Sequence, residues 1–195
     1  MSLQYIHKRR SKVTNKKVSL MVLTALFTAL TAVGAFIRIP TPTVAFTLQI
    51  LFVFLAGILL GPAWGALSQL LYVLLGLIGV PIFTGGGGLG YVFQPSFGFL
   101  LGYIGGAALT GWIARGGRPA LLRLSLACAA GLAVIYAVGL PYMAWVLNVH
   151  LAKGLPASYI MTNGCLIFLP WDGVKLAAAV ALSKALLPLL RRMQA

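Results

Sequence analysis

Six apolar segments of membrane-spanning length constrain this chain more than any other feature of its sequence. A helix needs about 20 apolar residues to cross the hydrocarbon core of a bilayer. Segments that meet or approach this length lie at residues 18–37, 45–60, 63–80, 96–114, 120–147 and 164–187. They end at helix-breaking residues such as Pro40, Pro42, Pro62 and Pro81. The sequence therefore predicts an all-α, polytopic membrane protein with six transmembrane helices in a single domain at residues 18–190.

The charged residues exclude other classes of protein. Only 8% of the residues are charged, and 15 lysines and arginines stand against a single acid, Asp172. A soluble domain averages about a quarter charged residues with both signs mixed, and disorder requires low hydrophobicity. Nucleic-acid-binding proteins carry their basic face on a soluble fold, which fits this composition poorly. The excess of positive charge is therefore interpreted as a signal of membrane topology.

An even number of helices places both termini on one side of the membrane. Arg38 and Lys153 fall on the opposite side, and Lys175 lies within a helix. The terminal side receives the other twelve basic residues, namely Lys8, Arg9, Arg10, Lys12, Lys16, Lys17, Arg115, Arg118, Arg123, Lys184, Arg191 and Arg192. The positive-inside rule then predicts cytoplasmic termini, with a basic tail at 1–17 and a short tail at 191–195. Residues 18–37 exceed the roughly 7–15 residues of a signal peptide's apolar region, so cleavage is not expected.

Few residues are available for catalysis, and they do not favour an enzyme. A single carboxylate excludes paired-carboxylate chemistry. His7 and His150 fall on opposite sides of the predicted membrane, so they cannot share a metal site. Cys128 and Cys165 lack the spacing of a redox pair and are expected to be buried as small apolar side chains. The sequence predicts no metal, no cofactor and no enzymatic activity.

Asp172 and Lys175 are the residues with the greatest functional weight. They lie three positions apart in the sixth segment, so a helix places them on one face. A charged residue at the centre of a membrane helix costs about 2.5–3.5 kcal/mol. A self-neutralising ion pair that faces the bundle is one interpretation. We favour a polar ligand site, and we expect Pro170 and Gly173 to loosen the helix beside it.

Four further polar residues lie within the apolar segments. Thr47 and Gln49 sit near the start of the second helix, at the depth predicted for Asp172, and we assign them to a ligand. Gln69 and Tyr72 lie closer to the middle of the membrane. For this second pair we predict interhelical hydrogen bonds.

A glycine-rich connection at residues 81–95 follows the third segment. No lysine follows its glycines and no βαβ unit surrounds it, which excludes a phosphate-binding loop and a dinucleotide-binding turn. It is either a flexible connector or a lid whose bare backbone approaches a ligand. Its run of four glycines is Gly85, Gly86, Gly87 and Gly88, and the walls that we expect are Phe83, Tyr91, Tyr142 and Trp171. Together these residues describe a pocket for a small, partly apolar molecule with a polar head. The connection around 148–162 is a candidate for a second flap.

Small residues on the first segment indicate a helix-packing surface. Ala25 and Ala29 are four positions apart, which lets another helix approach closely. Periodicity alone leaves open whether that helix belongs to the same bundle or to a partner.

The sequence resembles the BioY family, the biotin-specific S components of energy-coupling factor (ECF) vitamin transporters. The motifs are Ala45-Phe-Thr-Leu-Gln49, Gly79-Val-Pro-Ile-Phe-Thr-Gly-Gly-Gly-Gly88, Pro95-Ser-Phe-Gly-Phe99 and Leu169-Pro-Trp-Asp-Gly-Val-Lys175. The last motif is similar to the family's Pro-Gly-Asp-x-x-Lys. The chain departs from the family pattern at Trp171, where glycine is usual, and at Gln94 and Phe97, where small residues are usual.

The resemblance implies a six-helix subunit in a prokaryotic inner or plasma membrane that binds biotin near its outer face. Such a subunit docks on an EcfT-like coupling protein, and two ABC ATPases drive release of biotin inside. By the same comparison, Asp172 and Lys175 occupy the family's polar ligand positions, the glycine loop is its lid, and Ala25 and Ala29 belong to the docking surface. Two alternatives stay open. One is an S component for another vitamin, and the other is a stand-alone, proton-coupled secondary transporter that would depend on Asp172.

Overall fold

Apolar helices account for nearly all of the fold. The computed structural model describes the backbone of residues 3–41, 43–116 and 120–193, and the side chains of residues 16–41, 43–116 and 120–190. The helices of the described residues are α1 (Leu3–Phe36), α2 (Gln49–Leu60), α3 (Pro62–Leu77), α4 (Phe97–Ala114), α5 (Leu121–Trp145), α6 (Ala157–Met161) and α7 (Leu169–Met193). Two short strands, β1 (Arg38–Ile39) and β2 (Phe46–Thr47), form a hairpin between α1 and α2.

Four helical stretches among the described residues are long and apolar enough to cross a membrane. They are Lys16–Phe36 within α1, Phe97–Ala114, Leu121–His150 and Ala157–Leu190. The two longest include π-helical turns at Val146–His150 and Thr162–Leu166. The second and third predicted segments fold as shorter apolar helices, α2 with 12 residues and α3 with 16. All six predicted segments therefore contain helix, but two of the helices are shorter than a straight crossing of the bilayer needs.

The predicted start of the second segment at residue 45 is wrong. Phe46 and Thr47 belong to β2, which pairs antiparallel with β1 so that Arg38 lies opposite Thr47 and Ile39 opposite Phe46. Helix α2 begins only at Gln49. Hydropathy does not distinguish a short apolar strand from an apolar helix, so the sequence could not reveal this hairpin. Pro42, within the same connection, lies outside the described residues.

The expected loosening of the sixth segment is found just before Pro170, where a π-helical turn at Thr162–Leu166 and a turn at residues 167–168 precede α7, but it is absent at Gly173. Helix α7 begins at Leu169 and is continuous through both residues. Pro170 is the second residue of the helix, where a missing N–H removes no intrahelical hydrogen bond. The polar face of this helix is therefore a regular i, i+3 face and not a broken one.

Helix α1 extends further towards the N-terminus than the apolar pattern predicts. It begins at Leu3 and runs through most of the segment predicted as a basic tail. Within that segment only Lys16 and Lys17 have described side chains. Of the other predicted cytoplasmic bases, Arg118 and the side chains of Arg191 and Arg192 lie outside the described residues.

Helix α4 occupies the centre of the bundle. It packs against α5, α3 and α2, whereas α1 packs against α2 and α3, and α7 against α2 and α5. The approach is very close at Gly111, where an added Cβ would lie 2.6 Å from both Gly57 O and Pro62 N. These neighbours are backbone atoms that no rotamer change can move. Small residues thus hold α4 directly against the junction of α2 and α3.

We expect Gly111→Ala to lower the thermal unfolding temperature in detergent, with a loss of about 1–3 kcal/mol, because overpacking forces backbone shifts. Gly173→Ala on α7 is the matched control, since its added Cβ meets nothing within 4 Å. Equal unfolding temperatures for the two variants would contradict the backbone contact at Gly111.

Candidate functional site

A cavity of about 40 Å³ with both polar and apolar walls lies at the end of the bundle that carries the hairpin and the glycine loop, and we name it the polar cavity after its polar side chains. Helices α2, α4, α5 and α7 supply most of its walls, and the hairpin connection and the glycine loop close it. The polar side chains that line it are Thr47, Gln49, Thr84, Tyr91, Ser96, Tyr103, Tyr136, Asp172 and Lys175. Five of these residues are among the predicted site residues, namely Thr47, Gln49, Tyr91, Asp172 and Lys175.

Asp172 and Lys175 form a buried ion pair on the wall of this cavity. Lys175 Nζ lies 2.7 Å from Asp172 Oδ1, and the two side chains are only 5% and 0% exposed. The shared helix face predicted from their spacing is confirmed. The hydroxyl of Tyr136 donates a hydrogen bond to Asp172 Oδ2, and Lys175 Nζ also lies 4.3 Å from the centre of the Phe46 ring. The pair is therefore self-neutralising, and it also borders the cavity. An internal ion pair and a polar ligand site, the two interpretations of the sequence, do not exclude each other.

Thr47 and Gln49 begin a hydrogen-bonded chain that leads from the cavity to the glycine loop. The Thr47 hydroxyl donates to Gln49 Oε1 at 3.0 Å, and Gln49 Nε2 donates to the hydroxyl of Tyr72 at 2.8 Å. The Tyr72 hydroxyl donates in turn to the backbone carbonyl of Ile82 at 3.0 Å. An amide has two N–H donors and an oxygen with two lone pairs, so Gln49 keeps one donor and one lone pair for a ligand.

The predicted interhelical role of Gln69 and Tyr72 is confirmed. Tyr72 on α3 accepts the hydrogen bond from Gln49 on α2. The Thr31 hydroxyl on α1 lies 3.3 Å from both amide atoms of Gln69 on α3. Buried polar side chains thus join α1, α2 and α3 where no water is available.

The glycine loop folds tightly over the end of α3. Phe83 and Gly86 exchange two backbone hydrogen bonds, of 2.8 and 3.1 Å, and Gly88 N–H donates to Gly76 O at 2.7 Å. Gly86 and Gly88 have φ values of +113° and +100°, which side chains with a Cβ rarely adopt. Gly86 and Gly88 therefore shape the loop. None of the four predicted glycines, Gly85, Gly86, Gly87 and Gly88, lines the cavity, and the loop contributes the side chains of Thr84 and Tyr91 to it.

The other predicted walls lie away from the cavity. Phe83 is buried behind it, with ring centroids 5.4 Å from Tyr72 and 4.5 Å from Tyr91. Tyr142 donates a hydrogen bond of 2.6 Å to the backbone carbonyl of Val92 and so holds the glycine loop from the side of α5. Trp171 is 57% exposed on the outside of α7. The role of these residues in ligand binding stays a prediction.

The predicted second flap touches the glycine loop. The rings of Phe93 and His150 stack with centroids 4.5 Å apart. Within this flap, the Asn148 side chain accepts a hydrogen bond of 2.7 Å from the backbone N–H of Leu155 and donates one of 2.9 Å to its carbonyl. The two connections are therefore in direct contact with each other.

Sequence reasoning missed four polar residues of the cavity. The hydroxyl of Tyr91 lies 2.8 Å from Thr84 Oγ1 and 3.0 Å from Ser96 Oγ. Tyr103 and Tyr136 reach the cavity from α4 and α5. A tyrosine hydroxyl inside an apolar segment needs a partner, and this signal could have identified both tyrosines.

The cavity suits a small ligand that is partly polar and partly apolar. Its charges cancel, its carboxylate accepts hydrogen bonds, and its ammonium, amide and hydroxyl groups donate them. Phe99, Leu100 and Phe168 add apolar walls. The described residues contain no group of three or more His, Cys, Asp or Glu side chains that could hold a metal ion. Of the two cysteines, Cys128 is buried as predicted and Cys165 is half-buried.

Comparison with known proteins identifies the family. The model of the BioY family matches residues 7–192. The chain belongs to the BioY family. Membership in this family, together with the four long apolar helices of the described residues, shows that this BioY-family chain is a multi-pass membrane protein.

Two relatives show the extent of the similarity. A protein of Lysinibacillus sphaericus named as a probable biotin transporter BioY is 50% identical over 145 residues, which are 74% of this chain and 74% of that protein. A protein of Pyrococcus horikoshii with the same name is 38% identical over 172 residues, which are 88% of this chain and 96% of that protein.

A solved structure shares the fold of this BioY-family chain. It is described as the S-component for biotin from an ECF-type ABC transporter, and it matches with a TM-score of 0.75. The match covers 88% of this chain and 92% of the other, at 24% sequence identity. The S-component-like fold expected from the sequence is therefore confirmed.

We expect Lys175→Met to destabilise the protein by about 3–5 kcal/mol, because it leaves a buried carboxylate without its ionic partner. The double variant Asp172→Asn with Lys175→Met removes both charges and should recover most of the loss. Thermal unfolding in detergent measures both effects.

Lys184→Met on the exposed face of α7 serves as the control for the loss of a lysine. If Lys175→Met is no less stable than Lys184→Met, the prediction that the buried Asp172–Lys175 ion pair stabilises the protein is contradicted. A double variant as unstable as the single one would also contradict it.

Proposed function

We propose that this chain is the biotin-binding S component of an ECF-type importer, a transport subunit and not an enzyme. The names of its relatives support biotin as the substrate, and its fold is that of an S component. Within this chain, the observation that carries the proposal is the buried Asp172–Lys175 pair on the wall of the polar cavity.

The chemistry of biotin suits the residues of the cavity. Biotin has a ureido head with two N–H donors and one carbonyl, an apolar thioether ring and a carboxylate tail. Asp172 accepts ureido N–H groups or orients Lys175, which balances charge in the site. Phe99 and Phe168 give the ring system apolar neighbours. The family resemblance supports the same two charged residues as ligand contacts.

Biotin entry requires the cavity to widen. A cavity of about 40 Å³ has room for about three water molecules, which is less than a fused bicyclic ligand occupies. The elements that close it are loops, represented by Ala45 of the hairpin connection and Thr84 and Tyr91 of the glycine loop. Loops that cover a site on a rigid scaffold are the segments that open for a ligand. We therefore assign the lid to these two connections.

The proposed topology has six membrane crossings and both termini in the cytoplasm. Twelve basic residues on the terminal side against two on the other support this orientation. With 12 and 16 residues, α2 and α3 are about 18 and 24 Å long. Local thinning of the bilayer and the flanking connections complete these two crossings.

Energy for transport comes from partner chains in this proposal, and the subunit itself holds no cofactor. The partners are an EcfT-like coupling protein and two ABC ATPases in the inner or plasma membrane of a prokaryote. Ala25 and Ala29 on α1 are exposed, whereas Thr24, Thr28 and Thr31 on the same helix are buried. Exposed small residues allow a partner helix to approach closely, which supports a docking surface at Ala25 and Ala29.

We expect Asp172→Asn and Lys175→Ala each to weaken biotin binding about 10- to 100-fold, because a hydrogen bond to a charged group contributes about 1.5–3 kcal/mol. Tyr136→Phe should cause a smaller loss, since it removes only the bond that orients the carboxylate. Titration calorimetry with biotin measures all three affinities, with Lys184→Ala as the control.

Unchanged biotin affinity in both Asp172→Asn and Lys175→Ala would overturn the site assignment. Native mass spectrometry of protein purified without added ligand tests the substrate separately. Co-purified biotin supports the proposal, and a different bound vitamin redirects it to another S component.

We expect Ala25→Leu with Ala29→Leu to reduce co-purification of the coupling protein without changing biotin affinity. The larger side chains prevent the close approach of a partner helix. Ala133→Leu with Ala137→Leu is the matched control, because these alanines have the same spacing and are exposed on α5. A loss of co-purification only in the α5 variant would show that the docking surface lies on α5 and not on α1.

A further inference from the structure

A second cavity lies between the β-hairpin and α7, on the outside of the bundle. Its volume is about 310 Å³, and we name it the hairpin groove. Its apolar lining residues are Ile37, Ile39, Phe46, Leu48, Trp171 and Val174, and its polar ones are Arg38, Thr47 and Lys175. We propose that the hairpin groove binds an anionic phospholipid, with an acyl chain between the hairpin and α7 and the lipid phosphate on Arg38.

The walls of the hairpin groove face the surroundings of the bundle. Ile37, Ile39, Trp171 and Val174 are each more than half exposed. Apolar side chains exposed on a membrane protein contact lipid tails. The lining offers few hydrogen-bonding partners, so water is a poor occupant. An acyl chain is apolar, like the lining of the groove, and is therefore a suitable occupant.

The floor of the hairpin groove is held in place by aromatic packing. The Phe46 ring stacks on Phe168 with centroids 5.7 Å apart and meets the edge of Trp171 at the same distance. The main chain on either side of Phe46 is tied to β1 by the hairpin register. The hollow is thus part of the folded architecture and is present before a lipid enters.

Arg38 supplies charge complementarity for the headgroup. Its side chain is exposed, and it makes no ion pair or hydrogen bond within the described residues. The one acidic side chain of the protein, Asp172, already binds Lys175 and Tyr136. Guanidinium groups match the geometry of phosphate oxygens. Trp171 beside it is the residue type enriched where lipid headgroups meet acyl chains.

The proposed lipid site adjoins the biotin site, but its headgroup contact, Arg38, belongs to the lipid site alone. Thr47 and Lys175 line both cavities. Lys175 is neutralised by Asp172, so it adds no second contact for the headgroup. Arg38 lines only the hairpin groove. A change at Arg38 should therefore alter lipid binding and leave biotin affinity unchanged.

The test is competition between two lipids with identical acyl chains, phosphatidylglycerol and phosphatidylcholine, added at equal concentration to the detergent-purified full chain. Native mass spectrometry counts the bound lipids. We expect the unmodified protein to retain phosphatidylglycerol at least fivefold over phosphatidylcholine. Arg38→Gln should abolish this preference, whereas Lys153→Gln, which removes another exposed cation, should keep it.

A second variant tests the groove itself. Val174→Trp places a large side chain in the hairpin groove and should reduce retention of both lipids. Equal retention of the two lipids by the unmodified protein would overturn the proposal, as would a preference that survives Arg38→Gln. A tenfold loss of biotin affinity in Arg38→Gln with the lipid preference intact would also overturn it, because Arg38 would then belong to the biotin site.

Discussion

Asp172 and Lys175 form an ion pair inside an apolar bundle, and each of the two side chains has its partner there. One carboxylate oxygen of Asp172 accepts a hydrogen bond from the ammonium of Lys175, and the other accepts one from the hydroxyl of Tyr136. Removal of either partner would leave the other as an unpaired buried charge, which strongly destabilises the folded state. The positions of α5 and α7, and of the hairpin residue Phe46 over the ammonium, are thus tied to this pair. A site built around it is neutral overall and still offers a charged donor and a charged acceptor.

The glycine content of the helices explains how the site is assembled. Helix α4 approaches the backbone of α2 and α3 at Gly111 and that of α5 at Gly131 and Gly106. At these positions the helices approach closely because no Cβ stands between them. The packing sets α5 and α7 around the end where Tyr136 meets Asp172. The rigid part of the site therefore comes from helices, and the part that can move comes from the connections above it.

The β-hairpin links the two cavities of the protein. One face of the connection, at Thr47 and Ala45, closes the polar cavity, and Ile39 and Arg38 border the hairpin groove. Residues within the segment 37–48 thus line both the cavity proposed for biotin and the groove proposed for a lipid. Phe46 lies between them, stacked on Phe168 and beneath Lys175. Motion of the hairpin would change both surfaces together, because they share its backbone.

Hydropathy, charge and spacing in the sequence determined the helical class, the presence of helix in each predicted apolar segment and the shared face of Asp172 and Lys175. These features depend on local periodicity and on the high penalty for unpaired polar groups in lipid, so they can be predicted from the chain alone. The sequence also indicated Thr47, Gln49 and Tyr91, since polar side chains in apolar segments are rare. Only the tertiary structure decided that Tyr136 binds Asp172, that residues 46–47 form a strand, and that Phe83 and Tyr142 support the loop from outside the cavity. Those outcomes depend on contacts between residues far apart in the chain, and no local pattern encodes such contacts.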